Sequence, residues 1–305
     1  MNSIISNWTT QLSLNATKTP FVTVDISGKN IKTFLQGQLS ADIHQLSLTQ
    51  SAYTTYCDAK GKIQSAFFIY PLKDTMYRII LNESLLDSTC NLLNKYGIFN
   101  QIKIDRMDKI QVIGLSDPNN CMFNQTESVA WELQSSDHIQ IIHYPSPDIH
   151  RYLLIGEHDS INQMLQGHSI PLDEHLNLWA ALDIIQIFPQ INASIVNLFT
   201  PPMLSLEKFN AYSLNKGCFL GQEIISRTAR LGKIKRHLHV LLSPNRTSDL
   251  DTLTHDFNHS QMGHIINSTQ LNDEYHIHLA LINDRHMATI HDSEVVLAHQ
   301  LNFVS

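Results

Sequence analysis

Charge is scarce in this chain: Asp, Glu, Lys and Arg make up 16% of its 305 residues, against roughly a quarter in an average soluble protein. Asn, Gln, Ser, Thr and His take their place, so the surface is polar but thinly charged. An apolar fraction of 43% excludes a disordered chain, which needs low hydrophobicity and high net charge. Eleven glycines and ten prolines exclude a collagen-like chain. Only four cysteines are present (Cys57, Cys90, Cys121 and Cys218) and none stands at metal-ligand spacing, so a disulfide scaffold is excluded and reduced thiols in a cytoplasm are expected. No apolar run approaches the roughly 18 residues of a membrane span. Met1 to Pro20 has no basic segment before Lys18 and is not read as a signal peptide. Asn7-Trp8-Thr9 and Asn82-Glu83-Ser84 therefore follow from composition rather than from glycosylation. A net charge of −7 excludes bulk electrostatic coating of nucleic acid and leaves only a local basic patch.

The length suits about two average domains. The first twenty residues read as a helical lead-in, and Phe21 to Ile26 as a strand. Ile31, Phe34 and Leu35 open an amphipathic helix. Ser51–Cys57 and Ile63–Tyr70, separated by the turn-forming Asp58-Ala-Lys-Gly61, predict a hairpin. Tyr77 to Leu81 reads as a strand, and Leu85 to Leu93 as a helix capped at Gly97. Strand signals recur at Ile110–Leu115, Ile139–Tyr144 and Tyr152–Ile155, with helices at Ile161–Leu165 and Asp173–Ile187. Beyond Lys233 the runs His237–Leu242, Gly263–Ile266, Tyr275–Ile282 and Val295–Leu301 carry no helical period and predict a small β module. The grammar is α+β with mostly antiparallel sheets.

The most unusual segment is Asn215-Lys216-Gly217-Cys218-Phe219-Leu220-Gly221-Gln222-Glu223. Two glycines around a cysteine permit a sharp turn that presents the thiol, and a nearby ammonium would raise its thiolate fraction. The alternative is a small buried cysteine in a tight loop. Arg227, Arg230, Lys233, Lys235 and Arg236 form a basic run in an acidic chain. It suits an anionic ligand tail, RNA phosphates or a solvated linker. His237/His239 and His276/His278 each alternate onto one strand face, an arrangement open to a metal. No Cys or carboxylate partner stands at signature spacing, so they are read as exposed polar residues and no metal is assigned. Trp8, Trp131 and Trp179 are read as packing residues.

Lys216-Gly-Cys-Phe-Leu-Gly-Gln-Glu223 resembles the K-G-C-[FY]-x-G-Q-E signature of the YgfZ family. These are folate-binding proteins of the glycine-cleavage T-protein superfamily, implicated in iron–sulfur cluster maintenance and in tRNA modification that depends on such clusters. Phe34-Leu-Gln-Gly-Gln-Leu-Ser-Ala-Asp42 is similar to the family's YLQGQLTADV helix, and Tyr56-Cys-Asp-Ala-Lys-Gly-Lys62 to its CDAKGK hairpin. Phe199-Thr-Pro-Pro-Met-Leu-Ser-Leu206 makes a fourth block. Order and spacing agree over roughly residues 20–245.

The resemblance implies a T-protein-like ring. Two mixed α/β subdomains (1–232) would be followed by a small C-terminal β-barrel (233–305), with tetrahydrofolate or a one-carbon derivative in the central opening. It implies a bacterial, cytoplasmic protein whose partners are folate, iron–sulfur enzymes or cluster-assembly proteins, and tRNA indirectly, with no membrane. Cys218 would be the functional thiol, as a transient ligand, redox group or nucleophile, with Lys216 beside it. Gln36, Gln38, Asp42, Asp58, Lys60, Gly217, Gly221, Gln222, Glu223 and Arg227 would contact the cofactor; Gln222 and Glu223 can instead hold the loop together. Aminomethyltransferases carry GGIVDD where this chain has Gly61-Lys-Ile-Gln-Ser-Ala66, so Ser65 and Ala66 replace the carboxylates and argue against one-carbon transfer. The family's RxxxGIP arginine and glycine are absent along Leu178–Ile185. The rival readings are a folate-dependent aminomethyl or methyl transferase or demethylase, and a direct tRNA-binding module.

Overall fold

The computed structural model describes residues 3–123, 131–136, 138–146, 149–175, 177–231, 235–244, 252–254, 261–286 and 302–304. The lead-in helix α1 (Ser3–Thr10) is shorter than the sequence suggests, and the chain re-forms as strand β1 (Asn15–Lys18). The first sheet holds β2 (Phe21–Ser27), β3 (Ala52–Cys57), β4 (Ile63–Lys73), β5 (Met76–Asn82) and β6 (Lys103–Arg106) in the order β3-β4-β5-β2-β6. Helix α2 (Ile31–Gln38) leaves β2, burying Ile31, Phe34 and Leu35 at the predicted spacing. Helix α3 (Leu86–Gly97) follows β5. Gly97 is not its left-handed cap: the chain runs on through a 3-10 turn, and Gln101 takes the positive φ of 49°. A Cβ on Gly97 would stand 2.6 Å from an Ile102 side-chain carbon, so close packing explains the glycine.

The second sheet adds β7 (Ile110–Asp117), β8 (Leu133–Ser136), β9 (Ile139–Tyr144), β10 (His150–Glu157) and β11 (Leu172–Asp173) to β1, in the order β11-β1-β7-β10-β9-β8. β1 is a strand because it pairs on both sides, antiparallel to β7 and parallel to β11. That pairing also takes Asp173 from the predicted long helix, and α5 runs only over Asn177–Ile185. Helix α4 (His158–Gly167) covers one face of this sheet, where Ile161 and Leu165 pack with Ile113, Leu115 and Leu154. The other face, with Val112, Leu153 and Ile155, joins the main core shared with the first sheet. Helix α6 (Gln222–Leu231) leads to the third sheet. This comprises β12 (Arg236–Ser243), β13 (Thr252–Thr254), β14 (Gln261–Gln270), β15 (His276–Asn283) and β16 (Asn302–Val304), ordered β13-β14-β15-β12-β16. Among the described residues every strand pair but β1–β11 is antiparallel. Lys233 and Val295–Leu301 lie outside the described residues.

Aromatic rings fill the space between the first two sheets. Phe68 lies 5.2 Å from Trp131, Trp131 lies 5.2 Å from Tyr144, and Tyr144 meets Trp179 edge-on at 5.2 Å. Trp179 of α5 rests on β7 where Gly114 leaves room for it. Beneath it, Arg151 of β10 is fully buried, its guanidinium carbon 3.9 Å from the indole centre and its Nη2 2.7 Å from Asp183 of α5. Burial raises the Asp183 carboxyl, and the Arg151 charge opposes the rise. α5 then closes with Phe188 N–H donating to the Asp183 carbonyl and Ile187 N–H to that of Ile184. This puts Ile187 at φ 56°, a left-handed cap that ordinarily falls to glycine.

Gly114→Ala would place a Cβ 2.2 Å from Trp179 Cε3. We expect a stability loss of about 1–3 kcal/mol or more from overpacking, read as a lower urea midpoint; an unchanged midpoint would show that the indole shifts without cost.

Candidate functional site

The end of α2 organises the site. Carbonyls at and just beyond its last turn have no intrahelical donor, and the Lys216 ammonium answers three of them from across the fold. Nζ donates to the carbonyls of Gln36 (2.7 Å), Leu39 (2.6 Å) and Ala41 (2.8 Å). The side chain is buried, and burial pulls its pKa down to about 8 while the Asp42 charge opposes the shift. All three ammonium protons are thus committed to backbone. Lys216, expected beside the thiol as a catalytic partner, instead fastens the cysteine loop to α2. Ser40 reinforces the seam by donating from Oγ to the Ala211 carbonyl (2.6 Å) and accepting the Ser213 N–H at its own carbonyl (2.9 Å).

The hairpin meets the same loop through glycine. Asp58 Oδ1 accepts the N–H groups of Lys60 and Lys62, both at 2.8 Å, forming the β3–β4 turn, and Gly61 takes φ 71°. Gly221, at φ 81°, lies so close that a Cβ on it would stand 2.4 Å from the Asp58 carbonyl and 2.8 Å from Gly61 Cα. Gly217 differs: it has no positive φ, and a Cβ on it would meet nothing within 4 Å. Only one of the two glycines around the cysteine is therefore required by geometry. Gln222 Nε2 donates to the Lys216 carbonyl (3.3 Å), holding the loop, and Glu223 is exposed on the first turn of α6. The fourth block joins through Ile63, whose N–H donates to Phe199 (2.9 Å) and whose carbonyl accepts from Asn197 (2.7 Å). Tyr56 OH donates to Gln38 Oε1 (2.8 Å). All four sequence blocks meet in one region.

Cys218 is exposed at this junction, and all four cysteines are free. Cys57 is buried, its thiol pushed up to about 12 by desolvation. Ser65, in the position of a family carboxylate, is fully buried with Oγ 2.7 Å from Thr89 Oγ1, and Ala66 is also buried.

Beside the junction opens a cleft of about 860 Å3. Asp42 lines it, held by Gln36 Nε2 (3.0 Å), the His44 N–H (3.1 Å) and Gln45 Nε2 (3.2 Å). Gln36 Oε1 accepts the Ile43 N–H (2.7 Å), so Gln36 positions Asp42. Opposite are Glu207 and Tyr212, whose hydroxyl donates to Glu207 Oε2 (3.2 Å). Asn210 and Arg230 are among its other polar residues, and the buried Trp131 indole at its wall is anchored by Nε1 donating to the Phe209 carbonyl (2.7 Å). Among the expected cofactor residues, only Asp42 lines this cleft. Gln38, Asp58, Gly221 and Gln222 are scaffolding around it, while Lys60, Gly217, Glu223 and Arg227 are exposed outside its lining.

Sequence reasoning missed Glu207, Asn210, Tyr212 and the lining role of Trp131. The first three directly follow the Phe199–Leu206 block, which was the available signal; Trp131 arrives from the second sheet and had none. A smaller cavity of about 300 Å3 lies at the far end of the Trp131–Tyr144–Trp179 column, lined by Trp179, Asp183, Asn82 and Asn267. The four histidines of β12 and β15 share one sheet face, given that His239 pairs with Ala280 and Leu241 with His278. Among the described residues, no three His, Cys, Asp or Glu side chains converge as a metal site, and no helix is long and apolar enough to cross a membrane.

The architecture is that of the aminomethyltransferases. It superposes on the glycine cleavage system aminomethyltransferase T from Bartonella henselae with a TM-score of 0.67, covering 91% of this chain and 81% of that one at 13% identity. No family model matches the chain. Curated relatives narrow the class. The tRNA-modifying protein YgfZ of Hamiltonella defensa is 30% identical over 253 residues, covering 76% of this chain and 73% of the relative. That of Yersinia pestis is 28% identical over 263 residues (82% and 78%), and that of Colwellia psychrerythraea 28% over 227 (73% and 69%). The chain belongs to the YgfZ family.

Two expectations separate structure from chemistry within the motif. Lys216→Met strands three carbonyls and should cost about 2 kcal/mol or more, whereas the exposed Cys218→Ala should stay within about 0.5 kcal/mol. Equal losses by urea denaturation would dissolve the distinction. The unfolded lysine keeps its proton up to the ordinary 10.5 while the folded one releases it near 8. The unfolded state therefore binds more protons in that window, and wild-type stability should rise with pH from about 8 to 10.5 relative to Lys216→Met. Parallel pH curves would contradict the buried ammonium.

Proposed function

We propose that the protein binds tetrahydrofolate, or a one-carbon derivative, in the 860 Å3 cleft, and with Cys218 supports the iron–sulfur enzymes that modify tRNA. The meeting of the four family blocks at one junction, with a cleft beside it that Ala41 and Asp42 of the α2 block line, carries this reading. The cleft falls within the roughly 300–1,000 Å3 of small-molecule sites. Its groups suit the ligand: Asp42 and Glu207 can accept from the amine and amide edge of a pterin, and Arg230 can meet a glutamate tail, while Trp131, buried at the cleft wall, reports on occupancy. Folate would supply one-carbon and redox-capable chemistry; this chain's residues bind and orient it. Cys218, exposed and outside the cleft lining, is free to act on a second partner. That the relatives are named tRNA-modifying proteins supports the same assignment. On this reading residues 1–232 bind folate, and 233–305 form a separate C-terminal domain.

A second reading, one-carbon transfer, draws on the two cleft carboxylates. Ser65 and Ala66 weigh against it, being buried and unable to hold a proton or charge for transfer.

Tetrahydrofolate titration followed by tryptophan fluorescence tests the site. Quenching should persist in Trp179→Phe and vanish in Trp131→Phe, and Asp42→Asn should weaken affinity about tenfold. Quenching carried by Trp179 would move the ligand to the smaller cavity and overturn the assignment. In cells, Cys218→Ala should abolish the dependent tRNA modification while folate affinity stays at the wild-type value; retained modification would remove the thiol from the function.

A further inference from the structure

Two exposed aliphatic side chains stand near the loop that carries Cys218. Leu198 is 43% exposed and Ile224 38% exposed. They flank the hairpin tip: a Cβ on Gly61 would lie 3.4 Å from Ile224 Cβ, and the Lys62 ammonium bonds the Leu198 carbonyl. Lys60 is exposed on that tip, and Arg227 follows Ile224 by three residues on α6, so both stand on the same neighbourhood. Glu223 is the exposed carboxylate there, while Asp58 is turned inward onto two backbone N–H groups. None of these residues lines the folate cleft. What sets this pair apart from the other exposed hydrophobics is the set of cations around it, a local positive charge on a chain of net charge −7.

We infer that the hairpin tip and the first turns of α6 form a docking face for an acidic protein partner, which is thereby brought to the Cys218 thiol. The inference rests on the functional reading of Cys218 and adds the kind of partner and its seat. Leu198 and Ile224 are the apolar anchors, and Lys60, Lys62 and Arg227 the complementary rim. An acidic protein fits better than RNA, because aliphatic side chains give phosphates nothing and offer no ring for a base to stack on.

The test varies charge at an anchor and keeps its exposure. Leu198→Glu opposes an acidic partner, whereas Leu198→Lys suits it; a merely structural role would suffer equally from both. Cells relying on each variant are assayed for iron–sulfur-dependent tRNA modification. The purified proteins are assayed for folate affinity, urea midpoint and Cys218 alkylation by iodoacetamide. We expect Leu198→Glu and Ile224→Glu to lose modification about tenfold or more and Leu198→Lys to stay within about threefold, with the three purified-protein measures unchanged. Equal loss in the Glu and Lys variants, or none in either, would overturn the docking face. Weaker retention of tRNA by the Glu variants in a gel shift would also overturn it, in favour of RNA. Full modification by Cys218→Ala would instead fail the underlying functional reading, so the two outcomes stay distinct.

Discussion

One buried ammonium ties this protein together. Lys216 reaches 175 to 180 residues back along the chain to the open end of α2 and satisfies three carbonyls, of Gln36 in its last turn, of its cap residue Leu39 and of Ala41 just beyond. Desolvating a lysine is costly, which is why its pKa falls, and the cost is offset only if every proton finds an acceptor. With that contact made, the loop bearing Cys218 has one position relative to α2, and Asp42, just beyond the helix, is held at the cleft wall. The thiol is left to solvent. Lysine and cysteine stand two residues apart, yet one is internal architecture and the other is exposed surface.

The second constraint is close backbone approach. Gly221 and Gly61 let the cysteine loop and the hairpin touch with no side chain between them. Gly114 does the same for Trp179 and β7. The aromatic column from Trp131 to Trp179 then runs from the cleft beside the cysteine loop, which Trp131 lines, to a smaller cavity by α5 and the third sheet, which Trp179 lines. The proposed ligand cleft and the exposed Cys218 are thereby neighbours without overlapping.

The Arg151–Asp183 pair gives α5 a different end from the one the resemblance implies. Its carboxylate is engaged by Arg151 and by Gln190 Nε2 at 2.6 Å, and its helix closes on a left-handed isoleucine instead of glycine. A left-handed β-branched residue costs about 1–2 kcal/mol, which the buried pair and the aromatic packing around it must overcome. The same segment lines the smaller cavity, so departures of sequence and of geometry coincide there.

Much of this was legible in the residues. Alternating runs such as Ile63–Tyr70 and periodic ones such as Ile31, Phe34 and Leu35 determine strand and helix locally, because period 2 and period 3.6 each leave one apolar face to bury. The four motifs, and with them the T-protein-like fold, also stood in the sequence. The strand at Asn15–Lys18, the shortened α5 and the cap at Gln101 did not: each depends on a partner distant along the chain or on a close contact that no local pattern encodes. The cleft lining was hidden for the same reason. Glu207, Tyr212 and Trp131 become neighbours of Asp42 only when the second sheet and the segment before the cysteine loop close on α2. Residue types can nominate chemistry, as they did for Cys218; which side chains face ligand, and which, like Lys216, are consumed in satisfying buried backbone, is decided by burial and distance in three dimensions.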